Sequence, residues 1–189
     1  MKNIAVAAIF TGALVALGPQ TALAQVAEAS AAAAAPLSGA RLVGQGVLRF
    51  LGFEIYRARL WVQPGFDANN YAAHPLALEL TYHRDFSGEA IAKRSIEEMR
   101  RVGSFTPQQA ERWQQALQSA LPNVKAGDRL LGLYQPGAGA IFKMAGRVVG
   151  EVPDAEFSRL FFGIWLSPQT SEPRLRQDLI AATRPQGQP

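Results

Sequence analysis

Cysteine is absent from this sequence. Disulfides, thiolate nucleophiles and cysteine-held zinc are excluded with it, so the fold must rest on its core alone. Histidine is nearly absent. His74 and His83 are the two present, on a predicted loop and a predicted strand, without the helical i, i+4 pairing or cysteine partners that a metal site would use. They form no ligand set, and neither a metal nor any other cofactor is expected. An excess of one charge is missing too. The chain carries 19 basic and 15 acidic residues, and the small surplus is scattered, which argues against nucleic-acid binding. Arg100-Arg101, the densest basic pair near a helix, reads as a solvated helix end.

Long apolar runs are equally scarce. A membrane-spanning helix needs ~20 apolar residues, and the run Ile4 to Leu17 is broken by Gly18-Pro19 before that length. Lys2 precedes the run, and Ala22-Leu23-Ala24 follows it. A charged start, a short apolar middle and a small-residue exit make the pattern of a secretory signal peptide over residues 1–24, cleaved after Ala24. Export to the periplasm or the medium is expected, with no transmembrane span once the signal is removed. Residues 25–38, including Ala31 to Ala35, hold nothing large enough to bury and read as an Ala-rich flexible linker. Residues 39–183 have the size of one ordinary domain, and 184–189 form a C-terminal tail.

Within the domain, Val47 to Phe50 and Phe53 to Val62 are β-rich runs around Gly52, a predicted hairpin. Leu76, Leu78, Leu80 and Tyr82 alternate with Ala77, Glu79, Thr81 and His83, a half-buried strand. Ile91, Ser95, Met99 and Val102 then recur at helical spacing, with Ser87 or Asp85 as cap. Thr106-Pro107-Gln108-Gln109 opens a second helix with a capping box and proline at its first position. Ala110, Trp113, Leu117 and Ala120 line one face of that helix, and Pro122 ends it. Strand signals return at Leu130 to Tyr134, Ala140 to Met144 and Val148 to Val152. Asp154 caps a helix with Leu160, Phe161, Ile164 and Trp165, and Ser171-Glu172-Pro173 opens a last one ending near Thr183. Strands followed by helices, twice over, predict an α+β domain with a largely antiparallel sheet and helices gathered on one face.

Few residues offer chemistry. The turn Gln135 to Ala140 lacks the Gly-Lys-Ser/Thr ending of a phosphate loop and leads into a strand. Asp85, His83 and Ser95 include the residue types of a hydrolase triad, but no Gly-x-Ser-x-Gly elbow surrounds Ser95. Adjacent carboxylates on a helix point about 100° apart, so Glu97 and Glu98, like Glu151, Asp154 and Glu156, read as solvent-facing or capping groups. The Phe161-Phe162-Trp165 stripe reads as core, with a ligand-cavity wall as the rival. The hairpin says more. A Gly52-Phe53 turn sets Arg49 opposite Tyr56, with Glu54 on the same face. Two readings stand: an exposed Arg49–Glu54 ion pair worth ~0.2–1 kcal/mol, or a guanidinium and a phenol aimed together at an anion.

Gly46-Val47-Leu48-Arg49 leading into Phe53-Glu54-Ile55-Tyr56-Arg57-Ala58-Arg59-Leu60-Trp61 resembles the first hairpin of chalcone isomerase-like proteins. Leu78 to Tyr82 with Ser95-Ile96-Glu97-Glu98-Met99 resembles their third strand and first helix, and Phe161 to Leu166 a late helix of exported bacterial members. The resemblance implies an open-faced β-sandwich, a long sheet with helices on one side and a ligand cleft between. Where the plant isomerases carry a tyrosine, a lysine and an asparagine on the first helix, this chain has Ile91, Arg94 and Glu98, and Tyr56 replaces a strand threonine. Those departures argue against flavonoid cyclisation. Arg49 and Tyr56 match the pair with which fatty-acid-binding relatives hold a ligand carboxylate. The resemblance therefore implies a non-catalytic binder of a fatty-acid-like or other small apolar anion. The alternative is an isomerase, of intramolecular lyase type, acting on another small molecule.

Overall fold

The computed structural model describes residues 36–183. The expected signal peptide, the linker up to residue 35 and the tail at 184–189 lie outside the described residues. Six strands, β1 (Arg41–Phe50), β2 (Phe53–Val62), β3 (Leu76–Tyr82), β4 (Arg129–Gln135), β5 (Gly139–Met144) and β6 (Arg147–Val152), form one antiparallel sheet in chain order. Helices α1 (Gly88–Val102) and α2 (Pro107–Ala120) intervene between β3 and β4, and α3 (Ala155–Leu166) and α4 (Pro173–Leu179) follow β6. The fold is α+β, as the order of sequence signals predicts.

Local chemistry sets the element ends. Ser87 caps α1 by accepting from the Ala90 N–H at 3.1 Å. Thr106 and Gln109 cap α2 reciprocally, each side chain accepting the other's backbone N–H, and so form the capping box read from the sequence. Asp154 accepts from the Phe157 N–H at 2.8 Å to start α3, and its other oxygen accepts from the Trp113 indole at 2.8 Å. One carboxylate thus caps a helix and ties α2 to it.

Side chains directly opposite in the register share a sheet face, and this separates the two layers. Leu60, Leu78, Gly132, Phe142 and Gly150 lie in one cross-strand row beneath the helices. Glycine in this row is a spacing device. A Cβ on Gly150 would stand 2.3 Å from the Ala120 Cα, so α2 reaches β6 only where the strand has no side chain. Gly44 does the same for α4, where a Cβ would stand 2.2 Å from the Asp178 and Leu179 carbonyl oxygens. The predicted first strand began at Val47 because Gly44 and Gly46 hide its earlier half, which extends back to Arg41. The opposite face is open. It carries Arg59, Glu79 and Lys143 in a polar row, beside a small cluster of Trp61, Ala77 and Leu133 on which Leu37 packs.

The main core fills the space between the covered face and the helices. The α3 aromatics dominate it: Phe157 and Phe162 are fully buried, and Phe161 stands 5.4 Å from the rings of Phe142, Phe157, Phe162 and Trp165.

The first hairpin corrects the sequence reading. Its turn is Leu51-Gly52, with φ of 50° and 83°, the left-handed pair of a type I′ turn. Phe50 pairs with Phe53 and Arg49 with Glu54, but Leu48 pairs with Tyr56, leaving Ile55 as an extra residue in a β-bulge. A bulge reverses the facing of everything beyond it. Arg49 and Tyr56 therefore point to opposite faces of the sheet, not to one. A pattern of alternating residues carries no mark of that single extra residue.

Candidate functional site

A cavity of about 450 Å³ opens between the covered face near the β1–β2 hairpin, α1, α3 and the start of α4. Its walls are largely apolar, supplied by Leu48, Leu80 and Tyr82 from the sheet, Ile91 from α1, and Phe161 and Ile164 from α3. That volume lies within the range of small-molecule pockets, as does the pairing of apolar walls with a few converging polar groups.

The polar groups gather at one corner. Tyr56 enters from β2, turned inward by the Ile55 bulge, and its hydroxyl accepts a hydrogen bond from the Trp165 indole N–H at 2.9 Å. Among the described residues the hydroxyl donates no hydrogen bond of its own, which leaves the phenol a spare donor at the cavity wall. Tyr82 stands edge-on to its ring, 6.0 Å away. Burial pushes the ionisation of the Tyr56 phenol well above its ordinary range, only partly offset by the Trp165 hydrogen bond, so it stays protonated and able to donate.

Helix α1 supplies the charges. Ile91, Arg94, Ser95 and Glu98 all line the cavity, at the i, i+3, i+4, i+7 spacing of one helical face. Arg94 pairs with Glu98 at 2.5 Å and with Glu97 at 3.4 Å. Glu98 is only 6 % exposed and is held from its other oxygen by Arg101 at 3.5 Å. The sequence reading put Glu98 in solvent. The helix turns it inward instead, and two arginines offset the cost of burying its charge. Ser95 donates to the Ile91 carbonyl at 2.8 Å and is committed there. Glu172, just before α4, completes the corner. Burial raises its pKa above 4.5, the nearby Glu98 carboxylate raises it further, and Arg94 acts in the opposite sense.

Arg49 stands apart from this corner. Its guanidinium pairs with Glu54 and its side chain is 61 % exposed. His83 Nδ1 stands 2.9 Å from the other Glu54 oxygen. The Arg49 hydrogen bond is the main reason that the Glu54 carboxyl titrates below 4.5. Of the two sequence-predicted site residues, then, Tyr56 lies in the cavity and Arg49 lies on the open face in an ion pair. The aromatic stripe divides between both readings: Phe162 is core, while Phe161 and Trp165 are cavity wall. Sequence reasoning missed Arg94 and Glu98 as cavity groups, although their spacing from Ile91 on one helical face, and their match to the isomerase lysine and asparagine positions, were signals for them. Glu172 carried no such signal, because it enters from a loop.

Comparison with known proteins agrees with this architecture. Residues 23–181 match the sequence profile of a family described as chalcone isomerase-like. An uncharacterized protein of Haemophilus influenzae is 25 % identical over 151 residues, spanning 80 % of this chain and 73 % of that one. Among solved structures, a fatty-acid binding protein of Arabidopsis thaliana superposes with a TM-score of 0.61 at 13 % identity, covering 78 % of this chain and 89 % of that one. At that identity the likeness is one of fold.

Proposed function

The chain belongs to the chalcone isomerase-like family, and from that premise we propose that it is a non-catalytic binder of a small apolar carboxylate such as a fatty acid. The observation that carries this reading is the Tyr56 hydroxyl, fixed by Trp165 and offering a spare donor inside an otherwise apolar cavity. A ligand carboxylate accepts from Tyr56 and draws Arg94, which lines the same corner, away from its carboxylate partners on α1. Each methylene of the tail buried among Leu48, Leu80 and Ile164 contributes ~0.8 kcal/mol. The fold shared with a fatty-acid binding protein supports the same reading. In this proposal Tyr56 keeps the role expected of it, and Arg94 takes the role that the hairpin pattern gave to Arg49.

The isomerase reading has one observation in its favour: Arg94, at the position of the isomerase lysine, faces the cavity. Against it, Ile91 and Glu98 occupy the tyrosine and asparagine positions, and neither is a donor to a developing oxyanion. Losing one such donor typically costs ~10²–10³ in rate.

Mass spectrometry of molecules released from the purified protein tests the binder reading. Medium- or long-chain monocarboxylates are the expected finding, and a protein that releases none and takes up none on exposure to them contradicts it. We further propose that the chain is exported. The pattern of Lys2, the apolar run and Ala22-Leu23-Ala24 supports cleavage before Gln25, which N-terminal sequencing of extracytoplasmic material reads directly.

A further inference from the structure

Three of the five exposed large apolar side chains among the described residues sit at one place, the tip of the β1–β2 hairpin. Phe50 is 63 % exposed, Leu51 81 % and Phe53 58 %. Leu51 is the more telling because its φ is 50°. The first position of a type I′ turn favours asparagine, aspartate or glycine, and a leucine there accepts backbone strain while leaving its side chain in water. Neither choice helps the fold. The molecule provides its own comparison in the β5–β6 turn, which has the same left-handed pair, with φ of 49° at Ala145 and 78° at Gly146. That tip carries only a methyl group.

Charge surrounds the apolar tip in a specific way. The Arg84 guanidinium lies over the Phe53 ring, 4.7 Å from its centroid, and no carboxylate pairs with it among the described residues. Arg49 beside the tip is neutralised by Glu54, so Arg84 is the cation left for a partner. A stable protein–protein interface draws on about 20–30 residues a side, far more than this convex turn presents. Apolar side chains projecting beneath an unneutralised arginine match instead the layering of a bilayer surface, with acyl chains below and phosphates above.

We propose that the β1–β2 tip is a membrane-docking wedge, with Phe50, Leu51 and Phe53 entering the head-group boundary of an anionic bilayer and Arg84 meeting lipid phosphate. Phe50 also lines the cavity, so a docked tip sets the cavity mouth at the lipid surface. The wedge does not depend on which ligand the cavity holds.

Vesicle binding of the full chain tests the wedge, using phosphatidylcholine alone and an equal mixture with phosphatidylglycerol. Binding is expected to the mixed vesicles. Leu51→Asn suits the turn better and should keep or raise the unfolding temperature while weakening that binding about tenfold. Arg84→Gln should weaken it about fivefold on mixed vesicles and little on phosphatidylcholine. The absence of native cysteine permits a single nitroxide at Leu51→Cys, which should become shielded from aqueous relaxants when mixed vesicles are added, while one at Ala145→Cys stays exposed. A Leu51 label that remains in water on vesicle-bound protein overturns the proposal, as does failure to bind either vesicle. Dimerisation that Leu51→Asn abolishes, without shielding by lipid, assigns the tip to a second copy of the chain instead.

Discussion

Trp165 donates its indole N–H to the Tyr56 hydroxyl across 2.9 Å, joining helix α3 to strand β2 at the wall of the cavity. The contact spans 109 residues of sequence and fixes which way the phenol's remaining hydrogen can point. Its two partners are not equivalent. Trp165→Phe leaves a hydroxyl that can turn toward the cavity, and the loss of a hydrogen bond costs about 0.5–1.5 kcal/mol. Tyr56→Phe strands the indole N–H, and an unsatisfied buried donor costs about 1–3 kcal/mol. Denaturant unfolding of the two single variants and the double variant should show this order, with the double variant less destabilised than the two singles added together.

Glu172 sets a pH dependence. Its pKa in the fold is raised above 4.5, first by burial and then by Glu98. The folded state therefore holds its proton more tightly than the unfolded chain, and its contribution to stability falls as pH rises through the region just above 4.5. Glu54 acts oppositely: its pKa is lowered by Arg49, and its contribution is present above 4.5 and lost as pH falls below. For a carboxylate ligand, the ionised Glu172 beside Arg94 is a repulsive neighbour. Glu172→Gln should tighten carboxylate binding several-fold at neutral pH, roughly the effect of removing a close like charge, and should flatten the rise in affinity seen with wild type on mild acidification. Calorimetric titration across that range reads both effects.

The glycine rows make a prediction about stability alone. In Gly150→Ala the new Cβ would meet the Ala120 Cα at 2.3 Å and the Ala120 carbonyl oxygen at 2.6 Å, both backbone atoms that cannot swing aside. Helix α2 must lift from β6, at a cost of about 1–3 kcal/mol. Ligand affinity should fall far less than stability, because α2 meets the cavity only through Leu121 at its C-terminal end.

Much of this architecture was legible in the sequence. Period-two alternation marked β3, and the capping box at Thr106 and Gln109 marked α2 together with its buried face of Ala110, Trp113, Leu117 and Ala120. These signals are local and follow from backbone geometry. The site was legible in part. Tyr56 was singled out, but its pairing with Arg49 rested on an unbroken register, and one bulged residue at Ile55 reversed it. Glu98 was read as solvated because an acidic residue on a helix usually is. The placement of α1 against the sheet turns Ile91 and Glu98 inward and leaves Arg94, its side chain 68 % exposed, at the rim of the cavity. Spacing puts the three on one helical face, and tertiary packing decides which way that face turns.

The proposed site holds the carboxylate between the buried Tyr56 and Arg94 at the cavity rim, and not on the open face at Arg49. Calorimetry with a series from octanoate to palmitate on wild type, Arg94→Ala, Tyr56→Phe and Arg49→Ala tests it most directly. Wild-type affinity should rise with chain length until the cavity is full. Arg94→Ala should weaken binding about tenfold or more, the value of a charged hydrogen bond, Tyr56→Phe by a smaller factor, and Arg49→Ala hardly at all. Weakening by Arg49→Ala with Arg94→Ala unchanged, or no carboxylate binding by any form, would contradict the account.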